Sequence, residues 1–251
     1  MPKLLAVIPH PDDEAYSFAG TIALAAAAGW ECVVHCASRG ERGKRHDGGP
    51  PGETALGRTR KAELAASCAL LGAAPPVLWG LPDGGLREAP SQATRIRSLF
   101  GEVRPDLVLA LGPDGAYGHP DHVAVYRWLW EAWESSPAPR PALLLATFPK
   151  GLFLPQYEKC IGMMGDPSEP PASTIGFDTW DYAVPIASVC RAKLAAIAAH
   201  RSQLPGGDPE ALFPPGIVSA LLQTERFLDA RGTAHPETAA LLAGLRGSAQ
   251  A

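Results

Sequence analysis

Lys3-Leu4-Leu5-Ala6-Val7-Ile8-Pro9-His10-Pro11-Asp12-Asp13-Glu14 is an apolar run that stops at two prolines and turns at once into a histidine and three acids. A short run that is apolar at successive positions predicts a strand buried on both faces. Pro9 and Pro11 end it, since proline offers no ladder donor. Acidic side chains crowded into so few residues repel one another, so a positive charge belongs among them. A metal ion supplies that charge most simply.

Working outward, strand and helix signals alternate. Residues 18–28 are Ala-rich and helical, closed by Gly29 at a C-cap position. Residues 31–37 form a second strand and 38–52 a Gly-, Arg- and Pro-rich loop. A long helix follows over 53–71, with Leu56, Leu64, Leu70 and Leu71 as its apolar positions. Residues 77–80 are a third strand. Ile96, Leu99 and Val103 mark an amphipathic helix over 92–103. Leu107–Leu111 is the fourth strand, 121–133 a helix and 143–148 the fifth strand. This pattern predicts an α/β chain with a mostly parallel sheet covered by helices on both faces. Ligands of such sheets bind beyond the carboxyl ends of the strands.

After Phe148 the texture changes. Residues 150–180 carry many prolines and glycines with Met163 and Met164, and show no period. They are expected to be an irregular excursion within a single domain spanning 1–251. A strand is expected over 182–186 and helices over 188–203 and 218–222, with 205–215 as loop. The last dozen residues are expected to fray.

The second chemical stretch is Tyr117-Gly118-His119-Pro120-Asp121-His122, directly after the fourth strand. It and the first stretch each stand between a strand and a helix, so they can meet at one sheet edge. His10 and Asp13 are three apart, as are His119 and His122. Two His and one Asp around a metal leave a coordination position open, the catalytic rather than the structural pattern. Each stretch taken alone also fits a loop whose Asp residues cap the next helix. The same ligand types build non-haem iron sites, but those usually stand on all-β barrels. No G-x-G-x-x-G follows the first strand and no phosphate loop is present, which argues against a dinucleotide-binding protein.

Composition sets the broad class. The chain has 251 residues, 46% hydrophobic and 19% charged, with net charge −4, so it can build a core and carries no basic footprint for nucleic acid. Its five cysteines are scattered without a C-x-x-C, which fits buried thiols in a reducing compartment. The apolar run at the start is too short for a signal-peptide core, and 23–28 is too short for a membrane span. A cytoplasmic location is expected.

The pair Pro-His-Pro-Asp-Asp-Glu and Tyr-Gly-His-Pro-Asp-His resembles the PIG-L/LmbE family of zinc-dependent N-acetylglucosaminyl deacetylases, including the mycothiol and bacillithiol types. Ser38-Arg39-Gly40-Glu41-Arg42-Gly43, Arg60-Lys61-Ala62-Glu63-Leu64, Pro82-Asp83-Gly84 and His200-Arg201-Ser202-Gln203 stand where the family's lesser motifs stand. The resemblance implies a Rossmann-like fold and one Zn2+, or another divalent metal, per chain. It implies a small-molecule amino-sugar conjugate as substrate and leaves a homo-oligomer open. By resemblance His10, Asp13 and His122 ligate the metal and Asp12 is the general base. His119 and Tyr117 face the substrate carbonyl, and Asp121 orients His119. Arg60 and Asp83 bind substrate. Alternatives within the family are an amidase for a non-sugar or larger conjugate and a non-catalytic binding member. Tyr16 and Phe18 depart from the family's small residues and are expected to narrow the pocket or pack under it. Arg39, Arg42, Lys44 and Arg45 form a basic loop which, with Arg60, is expected to border the substrate and to favour an anionic aglycone.

Overall fold

β1 (Lys3–Ile8) lies inside a seven-stranded sheet, and its side chains show why the run is apolar throughout. Leu4, Ala6 and Ile8 enter the core on one side, and Leu5 and Val7 enter the core on the other. The computed structural model describes residues 1–158, 172–232 and 235–247. Parallel to β1 run β2 (Glu31–Ser38), β3 (Val77–Leu81), β4 (Leu107–Leu111) and β5 (Ala142–Thr147). β6 (Tyr182–Pro185) and β7 (Thr224–Asp229) complete the order β3-β2-β1-β4-β5-β7-β6, with β7 antiparallel to both neighbours. From β1 the chain winds outward through β2 and β3, then returns to β4 on β1's other side. The crevice between the carboxyl ends of β1 and β4 is therefore the switch point where such sheets bind ligands.

Helices cover both faces. α1 (Asp13–Ser17), α2 (Ala19–Ala27) and α3 (Glu53–Leu70) pack on the Leu4 side, contributing Phe18, Ile22 and Leu64 among others. α4 (Ala93–Val103) packs on the Leu5 side through Ile96 and Leu99. α5 (Gly115–Gly118) is one kinked turn, and α6 (Pro120–Glu134) joins α4 through Trp128 and Leu129. α7 (Cys190–Ala199), α8 (Ile217–Leu221) and α9 (Pro236–Gly247) return to the Leu4 side.

Four expectations change. The helix expected over 18–28 is α2, and a further short helix, α1, precedes it, the two broken at Phe18, whose ring is fully buried. Leu70 is exposed, because it faces away from the helix side that carries Leu64 and Cys68. β7 is an additional strand: its inward positions include Glu225 and Asp229 as well as Phe227, so charge hides the alternation. Of the C-terminus expected to fray, the residues up to 247 belong instead to α9, which starts on Pro236 and seats Leu242 and Leu245 in the core, while 248–251 lie outside the described residues. Of the 150–180 excursion, residues 159–171, with Met163, Met164 and Cys160, lie outside the described residues. Cys32, Cys36 and Cys68 are buried free thiols. No helix among the described residues is long and apolar enough to cross a membrane.

One buried ion pair ties the C-terminal part to the site. Lys193 Nζ donates to Glu225 at 2.7 Å, with both side chains buried. The same carboxylate accepts from Gly20 N, Thr21 N and Thr21 Oγ1 at 2.8, 2.7 and 2.6 Å, so β7 caps α2. Lys193→Met leaves that buried carboxylate without its cation. It is expected to cost about 3 kcal/mol, since breaking one side of a buried pair strands a charge. Urea unfolding of both proteins checks this through the midpoint.

Candidate metal centre and active site

Pro9 and Pro11 end β1, and the turn they force leaves Asp12 at φ 119, a left-handed conformation that costs a non-glycine residue about 1–3 kcal/mol. Neighbours hold it there. Asp12 N donates to Glu14 Oε2 at 3.1 Å, and Ala15 N donates to Asp12 O at 2.9 Å. Asp12 stands at the N-cap position of α1, yet its carboxylate makes no cap bond. Asp121 likewise caps nothing: at the start of α6 the cap is His119, whose Nδ1 accepts from Asp121 N at 3.2 Å. The helix-capping reading of these acids is therefore set aside by geometry.

Three donors converge. His10 Nδ1 lies 3.2 Å from His122 Nε2 and 3.4 Å from Asp13 Oδ2, while His122 Nε2 lies 3.3 Å from Asp13 Oδ1. Tetrahedral ligands at about 2.0–2.1 Å from a zinc ion stand about 3.3 Å apart. The residues present thus fit a metal. The outward nitrogens are also occupied as a metal site requires. His122 Nδ1 faces the Gly115 carbonyl at 3.1 Å, and His10 Nε2 faces Asp121 at 3.1 Å and Asp83 at 3.2 Å.

Two other groupings bring three donors within 4.8 Å of one another: His10 with His119 and His122, and His10 with Asp83 and Asp121. The second is a set of supporting bonds. Asp121 also accepts from Gly84 N at 2.7 Å and Leu86 N at 2.9 Å, and Asp83 accepts from Arg42 N at 2.7 Å. In the first, His119 has spent Nδ1 on the cap and stacks on His122 with centroids 4.6 Å apart. Asp13 by contrast faces both inner nitrogens, His10 Nδ1 and His122 Nε2.

The electrostatics agree. Burial opposes a charge on His10, but Asp121, Asp13 and Asp83 outweigh it and hold its pKa well above the usual histidine range. Burial raises Asp13 too, yet His122 and His10 win and keep it below the ordinary carboxylate range. The pocket asks for positive charge. Burial pushes the Asp12 carboxyl up to about 6, against the pull of Arg60 and with the push of Asp13. Burial, with His122 and His10 beside it, pushes His119 down to about 3.

Asp121, Asp83 and Arg60 make contacts that their motifs did not reveal, and Asp83 and Arg60 also line the cavity over His10. Asp121 does not orient His119 through its carboxylate; that carboxylate holds His10, and His119 receives only the backbone N–H. Asp83 also rests on His10. Arg60 is turned inward: its Nη1 donates to Gly40 O at 2.8 Å, and its Nη2 donates to Asp12 Oδ2 at 3.0 Å and to Pro11 O. Gly40 must be glycine here, since a Cβ would collide with the Arg60 guanidinium.

Behind Asp12 lies a polar layer that sequence reasoning undervalued. Glu14 Oε1 accepts from Ser67 Oγ at 2.6 Å and pairs with the fully buried His200 Nε2 at 2.8 Å. Glu63 accepts from Ser202 N and Oγ, each at 2.7 Å. Arg60, Glu63 and Ser67, spaced by three and four on α3, form one buried polar stripe. That spacing was the signal available in the sequence.

A cavity of about 300 Å³ opens over His10, Asp12, Asp13, His119 and His122, with Arg60 in its lining. One wall is aromatic: Tyr16 meets Phe213 edge-on at 4.9 Å, and Phe153 meets Phe213 at 5.4 Å and Tyr117 at 5.9 Å. Tyr16 thus narrows the pocket, while Phe18 packs in the core beneath it.

Comparison with known proteins decides the family. The model of the PIG-L family, described as GlcNAc-PI de-N-acetylase, matches residues 5–133. The chain belongs to the PIG-L family. The chain is 34% identical to a 1D-myo-inositol 2-acetamido-2-deoxy-alpha-D-glucopyranoside deacetylase of Nakamurella multipartita, over 81% of each chain. Among solved structures it resembles the N,N'-diacetylchitobiose deacetylase of Pyrococcus horikoshii, with TM-score 0.64 and 21% identity over 94% of this chain and 88% of that one. It also resembles the 4-carboxy-2-hydroxymuconate hydratase of Pseudomonas putida, with TM-score 0.63 and 23% identity over 92% and 96%. One fold thus carries different reactions, and the chemistry has to be argued from the PIG-L site residues themselves.

Proposed function

We propose that the protein is a metal-dependent N-deacetylase that hydrolyses the acetamide of an N-acetylglucosamine-type conjugate. The observation that carries this is the convergence of His10 Nδ1, Asp13 and His122 Nε2 beside the buried Asp12 carboxylate. Two imidazoles and a carboxylate with an open position favour zinc. Bound there, the metal would act as a Lewis acid toward the amide carbonyl and the attacking water.

The chain supplies the rest. Asp12 takes the proton of the water that attacks the carbonyl carbon and passes it to the departing amine. With a pKa near 6 it is ionised at neutral pH yet basic enough to accept that proton. His119 is neutral, its Nδ1 already accepting from Asp121 N, so Nε2 carries the hydrogen and can donate to the carbonyl oxygen as charge builds there. Tyr117, edge-on to His119 at 6.0 Å, lines the same part of the cavity. The C–N bond breaks, and acetate and a free amine leave. The amino sugar rests on the likeness to the Nakamurella deacetylase. The buried free thiols fit a reducing, cytoplasmic setting.

The test is to load the purified protein with zinc and screen N-acetylglucosamine conjugates, the inositol glycoside included, for free amine. Amine should appear, vanish on chelation and return with zinc; no amine from any of them would overturn the proposal. A pH profile adds a second check. Asp12 works as the carboxylate, so kcat/KM should fall as pH drops through about 6. Arg60→Gln removes the cation that pulls this pKa down, so the acid limb should move to higher pH. An unmoved limb would detach it from Asp12.

A further inference from the structure

The loop cations beyond β2 separate clearly in space. Arg45 is spent on Asp47, at 2.5 and 3.0 Å, and on Pro50 O and Thr59 Oγ1. Arg60 serves Asp12. Arg39 lines a different surface hollow with Arg58 and Lys61. Lys44 is exposed and is not among the residues lining the catalytic cavity. Arg42 does line it, at the mouth beside Gly43, Asp83 and Gly84.

Arg42 is also anchored to the metal centre. Its backbone N–H donates to Asp83 Oδ2 at 2.7 Å, and the other oxygen of Asp83 faces His10 Nε2 at 3.2 Å. Its side chain runs past Gly84, with Cδ and Nη1 3.8 and 3.9 Å from where a Cβ of that residue would stand. Its charged partner is Glu53, 3.4 Å from Nε, and both side chains are more than half exposed. Such a pair is weak. The two Nη groups donate no hydrogen bond among the described residues. Tyr16, Phe153 and Phe213 make another part of the same lining aromatic, so a negative group on a bound molecule finds its answering charge beside Arg42.

We infer that Arg42 is a specificity-determining residue that grips an anionic group, carboxylate or phosphate, on the aglycone of the amino sugar. This deepens the deacetylase reading and rests on it for the sugar. The planar guanidinium matches either anion with two parallel hydrogen bonds. Glu53 is displaced at small cost because its own hold is slight.

Calorimetry with the zinc-loaded protein and three deacetylated sugars tests this without turnover: methyl α-glucosaminide, carboxymethyl α-glucosaminide and α-glucosamine 1-phosphate. At least one anionic sugar should bind about tenfold tighter than the methyl glycoside, as expected of an exposed charge-assisted contact. Arg42→Glu should abolish or invert that ratio. Lys44→Glu changes net charge equally and should preserve it. Preference for only one anion identifies which group is gripped. Equal affinity for all three sugars would overturn the inference, and so would a ratio untouched by Arg42→Glu or lost equally in Lys44→Glu. Arg42-dependent binding without free amine in the substrate screen would instead sink the deacetylase reading alone.

Discussion

Asp12→Asn is expected to keep its metal and lose ~10²- to 10⁴-fold in turnover, the range that a general base contributes. The asparagine oxygen can still accept from Arg60 Nη2, so the left-handed turn and its anchor to α3 survive. What disappears is the ability to take a proton. The neighbouring acid behaves differently: Asp13 faces both inner imidazole nitrogens, and Asp13→Asn is expected to weaken metal binding. Single-turnover rates and elemental analysis on both variants separate the two roles. If Asp12→Asn came off the column without metal while Asp13→Asn stayed loaded and active, the assignments would be exchanged.

His122→Ala is expected to come off the column essentially free of metal. It removes one corner of the donor triangle and leaves His10 and Asp13 too few to hold an ion in competition with water. Asp121→Asn makes the graded comparison. Its carboxylate holds His10 Nε2 from outside while also accepting from Gly84 N and Leu86 N, so its loss should cost 10- to 100-fold in metal affinity rather than all of it. Competition with a chromogenic chelator measures both. Full occupancy in His122→Ala would remove that residue from the ligand set.

The alternation of strands and helices was legible because β1, β4 and β5 are apolar on both faces and the helices carry their own period. β7 was not, because Glu225 and Asp229 occupy inward positions that apolar residues usually mark. His10, Asp13 and His122 were singled out by the resemblance of their motifs to the PIG-L/LmbE pattern, and the fold brings their donor atoms within 3.4 Å of one another. The partners of Arg60 were not legible. A helical arginine near a motif looks free to meet a substrate, and only the fold brings Asp12, Pro11 O and Gly40 O to its guanidinium.

By itself the sequence determined the α/β class, the strand ends that carry chemistry and the residue types that meet there. These follow from local periodicity and from the fixed coordination habits of His and Asp. The tertiary structure alone decided who supports whom. It put Asp121 and Asp83 on His10, made His119 a helix cap, buried Glu14 with His200, and left Arg42 at the mouth of the cavity. Hydrogen-bond partners are chosen by position in space across more than a hundred residues of chain, as between His10 and Asp121, and no local pattern records that choice.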